Sequence, residues 1–259
     1  RRAQNPQLKV IALTGSSGKT TTKEMLGSIL SRIAPTLVTR GNLNNDLGVA
    51  VMLLDLCPEH QYGVMELGAS HQGEIDYTSN LVQPLVAGII NIGTAHLGEF
   101  GGRDGICRAK SEIYAHIAPN GTSIVPAADD FADSIRQAVQ TEQVLSFGAG
   151  GEIFATEIEL QAQSATFKLN TPQGVRQVNL PLAGEHNVQN ATAAAAFALA
   201  IGISLDDIVL GLEQAVGAKG RLNFIQQGRH LLIDDTYNAN PTSMRAAAEV
   251  LAQQEGVRV

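Results

Sequence analysis

Val10-Ile-Ala-Leu-Thr-Gly-Ser-Ser-Gly-Lys-Thr-Thr-Thr22 sets the architecture of this chain. The apolar run before Thr14 predicts a buried strand, and the apolar spacing after Thr20 predicts a helix that begins where the loop ends. A strand, a loop that closes with Gly-Lys-Thr and a helix, in this order, are typical of a phosphate-binding loop. The stretch therefore predicts an α/β protein whose mostly parallel sheet, flanked by helices, is built around this loop.

Each residue type in the loop suits the binding of phosphate. Gly15 and Gly18 allow a tight turn whose N–H groups point at phosphate oxygens, and the helix adds the positive end of its dipole. Lys19 is placed to reach the β- and γ-phosphates, and the Thr20 hydroxyl to bind Mg²⁺. The usual spacing of such loops would put a glycine where this chain has Leu13. An ordinary glycine turn between a strand and a helix is the alternative.

Composition excludes several classes of protein. The 259 residues suffice for one large domain or two smaller ones, and 44% of them are hydrophobic. The net charge of −7 argues against a nucleic-acid-binding surface, which needs stripes of lysine and arginine. Cys57 and Cys107 lie far apart, without the spacing of a metal site, which is typical of a reducing cytoplasm. The longest apolar run is too short for a bilayer, so we expect a cytoplasmic protein without membrane insertion.

Hydrophobic periodicity predicts alternating helices and strands as far as residue 139. The predicted helices cover residues 21–34, 47–56, 102–117 and 131–139, and the predicted strands cover residues 36–39, 62–68, 86–93 and 123–125. The helix over 47–56 is apolar enough to be buried. Four short alternating strands follow, over residues 144–147, 153–160, 165–169 and 175–180. We expect these four to form a small antiparallel sheet beside the parallel one.

The last third of the chain predicts helices and then a hinge. The alanine-rich run 191–203 predicts a buried helix, a second helix covers 205–215, and residues 217–221 have the composition of a hinge. Strands over 223–226 and 230–233 and a helix from Thr242 predict the start of a Rossmann-like α/β domain. Residues 255–259 look like one more strand beginning. Because the chain also lacks an initiating Met, we expect a fragment of a longer protein.

Polar side chains follow three of the predicted sheet strands. Glu66 lies near the end of strand 62–68, His96 follows strand 86–93, and the loop 40–46 after strand 36–39 is rich in asparagine. Ligands of open parallel sheets bind beyond the carboxyl ends of the strands, so Glu66 is well placed to meet a metal at the phosphate loop. The structural alternatives are a solvated carboxylate for Glu66, a structural histidine for His96 and a solvated turn for the loop 40–46.

Two further clusters lie on predicted helices. The spacing of Asn187 and Asn190 puts both on one face of the first turn of a helix, where asparagine also serves as a plain cap. Lys110 lies in Arg-Ala-Lys-Ser-Glu, where periodicity alone favours a surface lysine paired with a neighbouring carboxylate.

Five stretches, in this order, resemble the Mur ligase family of ATP-dependent amide-forming enzymes, and the resemblance runs through nearly all of the chain. They are Gly41-Asn-Leu-Asn-Asn45, Met65-Glu-Leu-Gly-Ala-Ser70, Asn91-Ile-Gly-Thr-Ala-His-Leu97, Gly184-Glu-His-Asn-Val-Gln-Asn190 and Ile233-Asp-Asp-Thr-Tyr-Asn-Ala-Asn-Pro-Thr-Ser-Met244. The family has the short loop Thr-Gly-x-x-Gly-Lys-Thr, which accounts for Leu13. Together the stretches are most similar to the member that joins D-alanyl-D-alanine to UDP-N-acetylmuramoyl-tripeptide.

The resemblance implies a ligase of peptidoglycan synthesis that acts as a monomer and uses ATP. ATP would phosphorylate the tripeptide carboxylate, and the amine of D-alanyl-D-alanine would attack the acyl phosphate. Residues 1–7 would be the linker from an N-terminal UDP-binding domain, 8–216 the central ATP-binding domain, and 217–259 the hinge and an incomplete C-terminal domain. The chain alone would bind ATP weakly and ligate negligibly.

The resemblance also implies roles for the candidate residues. One Mg²⁺ would bind at Thr20 and Glu66, and a second near His96 and Lys110, with Lys19, His96 and Lys110 as the catalytic residues. The ATP contacts would be Thr14, Gly15, Ser16, Ser17, Gly18, Lys19, Thr20, Thr21, Asn187, Asn190, Arg221 and Asp235. The muramyl-peptide contacts would be Asn42, Asn44, Asn45 and Ser70.

Lys110 has a special place in the resemblance. Several members of the family carry CO₂ as a carbamate on a lysine of this helix, which turns a cation into an anionic oxygen ligand for the second Mg²⁺. Carbamylation needs a neutral amine, so burial would have to lower the lysine pKa. We predict that Lys110 is carbamylated.

Four alternatives stay open. The closest alternative is a sibling ligase, which would add a single amino acid to a shorter UDP-muramyl peptide. A folate-polyglutamylating enzyme is a more distant alternative, and the stretch Tyr237-Asn-Ala-Asn-Pro argues against it. A P-loop regulatory ATPase would use the full-length glycine loop, so Leu13 argues against it. A non-catalytic nucleotide-binding module would not need Lys19, Glu66, His96 and Lys110 together.

Overall fold

A six-stranded parallel sheet forms the centre of the molecule in the computed structural model, which describes residues 5–94 and 97–258 except the side chain of Thr242. Its strands are β1 (Lys9–Thr14), β2 (Thr36–Val38), β3 (Tyr62–Glu66), β4 (Val86–Ile89), β5 (Thr122–Pro126) and β6 (Gln143–Phe147). The strand order is β2-β3-β1-β4-β5-β6. Because β1 lies between β3 and β4, the loop that follows it emerges in the middle of the sheet edge where ligands bind.

Helices cover both faces of this sheet. They are α1 (Lys19–Ser31), α2 (Asp46–Leu54), α3 (Glu74–Val82), α4 (Leu97–Phe100), α5 (Arg103–Ser111), α6 (Ala132–Ala138), α7 (Glu185–Ala200) and α8 (Leu205–Glu213), and α9 (Pro241–Ala252) lies further along the chain. Successive residues of β1 belong to different cores: Ile11 and Leu13 pack with α1, α7 and α8, whereas Val10 and Ala12 pack with the helices of the other face. Burial on both faces explains why β1 is a continuous apolar run.

A three-stranded antiparallel sheet lies beside the parallel one, as predicted. It consists of β7 (Phe154–Leu160), β8 (Ala165–Thr171) and β9 (Gly174–Leu180), in the order β7-β8-β9. The assignment of residues 144–147 to this sheet is wrong, because β6 pairs in parallel with β5. As an edge strand β6 is only partly buried, so its alternating pattern is the same whichever partner it has.

Two predicted helices differ from the structure. Helix α2 is not buried as a whole, because only Gly48, Val49 and Met52 are, while Leu47 is 72% exposed. This nine-residue helix packs on the sheet with only one of its faces. The opposite face is therefore exposed although its residues are apolar, so the predicted full burial is wrong. The helix predicted over 102–117 is α5 followed by a short 3₁₀ turn, Glu112–Tyr114.

The end of the chain forms a separate hairpin and helix. Strands β10 (Asn223–Gln227) and β11 (His230–Asp234) make a two-stranded antiparallel sheet, and α9 follows them. Gln254, just beyond α9, donates a hydrogen bond of 2.6 Å to the carbonyl of Ala162, in the turn between β7 and β8. The strand predicted from residue 255 is absent from the described residues 255–258, where Val257 is 96% exposed and has no core to join. Within the described ranges no helix is long and apolar enough to cross a membrane.

Candidate functional site

The glycine loop uses its two glycines for different physical reasons. Gly18 is the N-cap of α1 and has a φ of 75°, in the left-handed region that favours glycine. A Cβ atom on Gly18 would also lie 2.2 Å from Oδ1 of Asn190. Gly15 has no positive φ, but a Cβ there would lie 3.1 Å from Cβ of Ile90. The loop therefore needs Gly18 for its turn and for the contact with α7, and Gly15 mainly for space.

Leu13 explains the short form of the loop. It is fully buried, and in the sheet it is paired with Glu66 on β3 and with Gly88 on β4. The strand thus continues through the position where longer loops have their first glycine. The turn begins only after Thr14.

Asn91 braces the loop from the neighbouring strand. Its Oδ1 accepts a 3.0 Å hydrogen bond from the N–H of Ser17, and its Nδ2 donates a 3.1 Å bond to the carbonyl of the same residue. The N–H of Ser16 also donates to the main-chain carbonyl of Asn91. Sequence reasoning did not single out Asn91 as a site residue, although an asparagine directly after an apolar strand is a polar strand-end signal of the kind that identified Glu66.

Lys19 lies in a cluster of charges above the loop. Its Nζ donates a 2.7 Å hydrogen bond to the carbonyl of Gly15. Burial lowers the pKa of Lys19, the carboxylate of Glu66 raises it, and the cation of Arg221 lowers it. These influences mean that three of the predicted site residues lie close together, although they come from α1, β3 and the segment after α8.

Glu66 is a buried carboxylate with one oxygen left for a ligand. The residue is only 2% exposed, so the alternative of a solvated strand-end carboxylate is wrong. Oε1 accepts a 2.8 Å hydrogen bond from Nδ2 of Asn44, whereas the buried Oε2 has no hydrogen-bond partner among the described residues. Leaving such an oxygen unpaired costs about 1–3 kcal/mol or more, so it is suited to a cation.

The donor set fits one Mg²⁺ bound together with phosphate. The described residues contain no group of three or more His, Cys, Asp or Glu side chains that could hold a metal by themselves. Mg²⁺ in nucleotide sites commonly uses one or two carboxylates and completes its shell with phosphate oxygens and water. Glu66 and the hydroxyl of Thr20 suit that kind of site. His96, expected beside a second metal, lies outside the described residues.

Buried hydroxyl groups around the loop also lack partners. Thr14, Ser16 and Thr22 each have a buried side-chain oxygen without a hydrogen bond among the described residues. Buried hydroxyl groups are normally satisfied, so three within the end of β1, the loop and the first turn of α1 indicate a place where a polar ligand completes the network.

Lys110 is buried beside this cluster. Its exposure is 5%, so the alternative of a surface lysine is wrong. Burial lowers its pKa to about 7, and the positive charge of Lys19 contributes further. Around neutral pH a large fraction of Lys110 therefore carries a neutral, nucleophilic amine, as carbamylation requires.

Asn187 and Asn190 share one face of α7, as predicted. Both are 6% exposed. Nδ2 of Asn190 donates a 3.2 Å hydrogen bond to Oδ1 of Asn187, and Nδ2 of Asn187 donates a 2.8 Å bond to the carbonyl of Ala183. The N-cap of α7 is Gly184 without a side-chain bond, so the interpretation of either asparagine as a plain cap is wrong. Asn187 holds Asn190, and Asn190 in turn packs against Gly18 of the phosphate loop.

The segment after α8 reaches the phosphate loop. Nη2 of Arg221 lies 3.3 Å from Oγ1 of Thr20, and the guanidinium group stacks 4.4 Å from the ring centroid of Tyr237. Asp235 accepts a 3.1 Å hydrogen bond from the N–H of Leu222, and burial raises the pKa of its carboxyl group. Arg221 and Asp235 both line one cavity with the loop.

That cavity is the candidate nucleotide site. It has a volume of about 480 Å³ and lies between the phosphate loop, the start of α7, the segment after α8 and the start of α9. Its walls include Ser17, Lys19, Asn187, Asn190, Arg221 and Asp235. The structure thus brings together residues from the first and last parts of the chain, as the predicted ATP contacts require.

The four residues expected on the muramyl-peptide side have different surroundings. Asn44 holds Glu66, and Oδ1 of Asn45 accepts a 2.8 Å bond from Gly48 as the N-cap of α2. The N–H of Ser70 donates a 2.7 Å bond to Glu74 at the start of α3, and Asn42 is exposed. Their backbones border the loop edge of the sheet, but Asn44 and Asn45 have structural partners of their own.

Known proteins match the chain over nearly its whole length. Residues 13–198 match the model of the Mur ligase middle domain. The chain is 45% identical over 260 residues to the UDP-N-acetylmuramoyl-tripeptide–D-alanyl-D-alanine ligase of Escherichia coli, an alignment that covers 99% of this chain and 58% of that ligase. The same ligase of Haemophilus influenzae is also 45% identical, over 264 residues.

Two solved structures have the same fold. The crystal structure of MurF from Acinetobacter baumannii is 77% identical with a TM-score of 0.97, covering 99% of this chain and 57% of that one. The structure of MurF from Thermotoga maritima in complex with ADP is 28% identical with a TM-score of 0.87, covering 98% and 60%. The chain spans a little over half the length of these relatives.

Proposed function

Since this chain belongs to the Mur ligase family, we propose that it is the nucleotide-binding part of a ligase that joins D-alanyl-D-alanine to UDP-N-acetylmuramoyl-tripeptide. The observation that carries the proposal is the convergence of Lys19, Arg221 and the unpaired oxygen of Glu66 at the phosphate loop. The 45% identity to ligases with this activity supports the choice of substrates. The alignment with that ligase covers 99% of the chain.

The chemistry that the site must perform is the activation of a carboxylate. A carboxylate is a poor acyl donor, because its leaving group would be oxide. In the proposed reaction a carboxylate oxygen of the tripeptide attacks the γ-phosphorus of ATP, and ADP leaves. The amine of D-alanyl-D-alanine then attacks the acyl carbon, phosphate leaves with the bonding electrons, and the amine loses a proton as the amide forms. Catalysis of such a transfer is mostly positioning and charge neutralisation.

The chain's residues divide this work by their place in the cavity. Lys19 and the loop N–H groups would hold the phosphates, and Arg221, whose guanidinium lies beside Thr20, adds a second cation. Asn190, supported by Asn187, would face the adenine, and Asp235 the ribose. Thr20 and Glu66 would hold Mg²⁺, which when bound neutralises the charge on the transferred phosphoryl group.

The proposal extends to Lys110 and to a second Mg²⁺. The buried amine of Lys110 with its lowered pKa supports carbamylation, and the product would be an anionic oxygen ligand for the second Mg²⁺. The carbamate forms when the amine nitrogen attacks the carbon of CO₂ and loses a proton. Lys19, His96 and Lys110 would then be the catalytic residues.

The proposed domain organisation follows the positions of the elements. Residues 8–216 would form the ATP-binding domain, 217–259 the hinge and the beginning of a second domain, and 1–7 the linker to a domain that grips UDP. Arg221 and Asp235 would close on ATP by movement about the hinge. We also propose that the protein is cytoplasmic and monomeric, and that the chain by itself binds ATP weakly and ligates negligibly.

An assay of ADP release tests the proposed function. The protein that carries this chain together with the regions present in its relatives is supplied with ATP, UDP-N-acetylmuramoyl-tripeptide and D-alanyl-D-alanine. We expect continuous, multiple-turnover ADP release only when the UDP-linked tripeptide and D-alanyl-D-alanine are both present, and no release by the Lys19→Met variant. Release with neither substrate would identify a regulatory ATPase instead. Release with a single amino acid and a shorter UDP-muramyl peptide would identify a sibling ligase.

A further inference from the structure

Lys23 is a fully buried cation that the proposed mechanism does not use. It lies one helical turn after Lys19 on α1 and has an exposure of 0%. Its Nζ donates a 2.7 Å hydrogen bond to the carbonyl of Thr39, and it lies 2.8 Å from Oε1 of Glu24, whose side chain is 40% exposed. Burying an ammonium group is costly unless it is paired, so these two acceptors hold it in place.

Thr39 connects this lysine with the carboxylate of the nucleotide site. Thr39 directly follows β2, and its N–H donates a 2.9 Å bond to the carbonyl of Val64 on β3. Its hydroxyl accepts a 2.9 Å bond from the N–H of Glu66 and donates a 3.2 Å bond to Val64. One residue therefore separates Nζ of Lys23 from the backbone of Glu66.

The position of Glu66 depends on few contacts. Beyond the sheet, its carboxylate is held only at Oε1, by Asn44, while Oε2 has no partner among the described residues. The direction of Oε2 is thus set by the backbone at the end of β3 and by that single amide bond. Thr39 holds the backbone part together with the sheet pairing of Glu66 to Leu13, and Lys23 adds a third hydrogen bond to the two that tie Thr39 to Val64.

Lys9 shows what a purely structural lysine of this type looks like. Its Nζ donates a 2.9 Å hydrogen bond to the carbonyl of Ile201, at the opposite edge of the sheet from the phosphate loop. In the part of the chain that the structure describes, neither residue of that pair forms a hydrogen bond with a candidate site residue. Lys9 and Lys23 each tie a carbonyl group to the core, but only the bond of Lys23 leads to Glu66.

We propose that Lys23 is a positioning residue that aims the carboxylate of Glu66 at the metal of the nucleotide site by holding Thr39. The inference rests on the proposed binding of Mg²⁺ by Glu66. Removing a residue that hydrogen-bonds to a metal ligand commonly weakens metal binding by about 10- to 100-fold. Lys23 acts two contacts behind Glu66, the proposed metal ligand, so the lower end of that range is expected.

The test measures metal affinity rather than turnover. Mn²⁺ serves as the paramagnetic probe for the Mg²⁺ site, and its binding to the chain in the presence of saturating ADP is followed by electron paramagnetic resonance. Lys23→Met keeps the length of the side chain and removes the charge, and we expect its dissociation constant for Mn²⁺ to rise about tenfold. Lys9→Met is the matched control and should bind Mn²⁺ as the unchanged chain does.

A second pair of variants covers the case in which Lys23→Met fails to fold. Thr39→Val removes the hydroxyl that accepts from Glu66, whereas Thr39→Ser keeps it. We expect weaker Mn²⁺ binding for Thr39→Val and unchanged binding for Thr39→Ser. Equal binding by Thr39→Val and the unchanged chain would overturn the inference, as would wild-type affinity in a folded Lys23→Met.

Failure of the proposed function looks different in the same experiment. If Glu66→Gln binds Mn²⁺ and ADP as tightly as the unchanged chain, the metal role of Glu66 is wrong and the inference fails with it. If Glu66→Gln weakens binding but Lys23→Met and Thr39→Val do not, the metal site stands and only the role of Lys23 is wrong.

Discussion

At the scale of single residues, the site is built from groups that are costly to keep in a folded protein. A left-handed glycine, an unpaired carboxylate oxygen and a buried lysine amine lie around one loop. The unpaired oxygen and the buried amine each cost stability, the left-handed turn is open only to glycine, and each of the three features is paired with a task in binding or activating a ligand. This coincidence makes Gly18 and Lys110 the most informative positions for mutation.

Gly18→Ala should abolish nucleotide binding. The new Cβ would meet Oδ1 of Asn190 at 2.2 Å, and the φ of 75° would be strained as well, at about 1–2 kcal/mol. Gly228→Ala is the control, because Gly228 also has a positive φ, of 58°, but its Cβ would meet nothing within 4 Å. Calorimetric titration with ADP and Mg²⁺ should show lost binding only for Gly18→Ala. Retained binding there would mean that the loop tolerates displacement of Asn190.

Lys110 should form a carbamate in a pH-dependent way. With a pKa of about 7 its amine is mostly neutral above pH 7 and reacts with CO₂, whereas protonation below pH 7 prevents the reaction. ¹³C NMR of the protein in ¹³C-bicarbonate should show a carbamate signal at pH 8 that fades as the pH falls through 7. The signal should be missing in Lys110→Met and present in the matched variant Lys168→Met, which changes an exposed lysine.

The same lysine gives a stability signature. Its folded pKa is lowered, so between about pH 7 and its ordinary value near 10.5 the unfolded chain binds the extra proton. The free energy of unfolding contributed by Lys110 should therefore rise with pH through that window. In urea titrations without bicarbonate, Lys110→Met should remove this slope. An unchanged slope would contradict the burial of the amine.

At the scale of elements, the site depends on how neighbouring loops are tied together at one edge of the sheet. Asn91, after β4, binds both main-chain groups of Ser17, and Thr39, after β2, binds Glu66 at the end of β3. Strand neighbours in space, rather than in sequence, thus brace the phosphate loop. The order β2-β3-β1-β4 puts these strand ends side by side.

Asn91→Ala should loosen the phosphate loop. The two side-chain hydrogen bonds to Ser17 are worth about 0.5–1.5 kcal/mol each, so the dissociation constant for ADP and Mg²⁺ should rise about tenfold. Asn170→Ala is a suitable control, because Asn170 bridges β7 and β8 with comparable bonds to Phe154 and Thr156. Both variants should melt at a lower temperature, but only Asn91→Ala should bind nucleotide more weakly. Equal affinities would assign Asn91 a purely structural role.

At the scale of the whole molecule, the cavity joins parts of the chain that are far apart in sequence. Thr20 and Arg221 are 201 positions apart and lie 3.3 Å from each other. The contact between Gln254 and Ala162 holds the end of α9 against the antiparallel sheet on the same molecule. The dependence of multiple-turnover ADP release on both the UDP-linked tripeptide and D-alanyl-D-alanine is the measurement that belongs to this scale, because it requires the regions that the longer relatives carry.

The sequence by itself determined the elements whose pattern is local. The strand, loop and helix around Gly18, the strand that carries Glu66 and the paired asparagines of α7 could all be predicted, because period and turn chemistry act within a few residues. Residues 144–147 and 47–56 were misjudged, because strand partners and the covered face of a helix depend on distant neighbours. An alternating strand has the same pattern in a parallel and in an antiparallel sheet, and an apolar helix has the same composition whether one face or all of it is buried.

Only the tertiary structure decided the states of the charged groups. Periodicity favoured a surface position for Lys110, whereas burial in the fold lowers its pKa to about 7. The roles of Asn91, Thr39 and Lys23 likewise follow from hydrogen bonds between segments 16 to 74 positions apart. Desolvation and pairing depend on what surrounds a group in space, and a linear pattern does not contain that information.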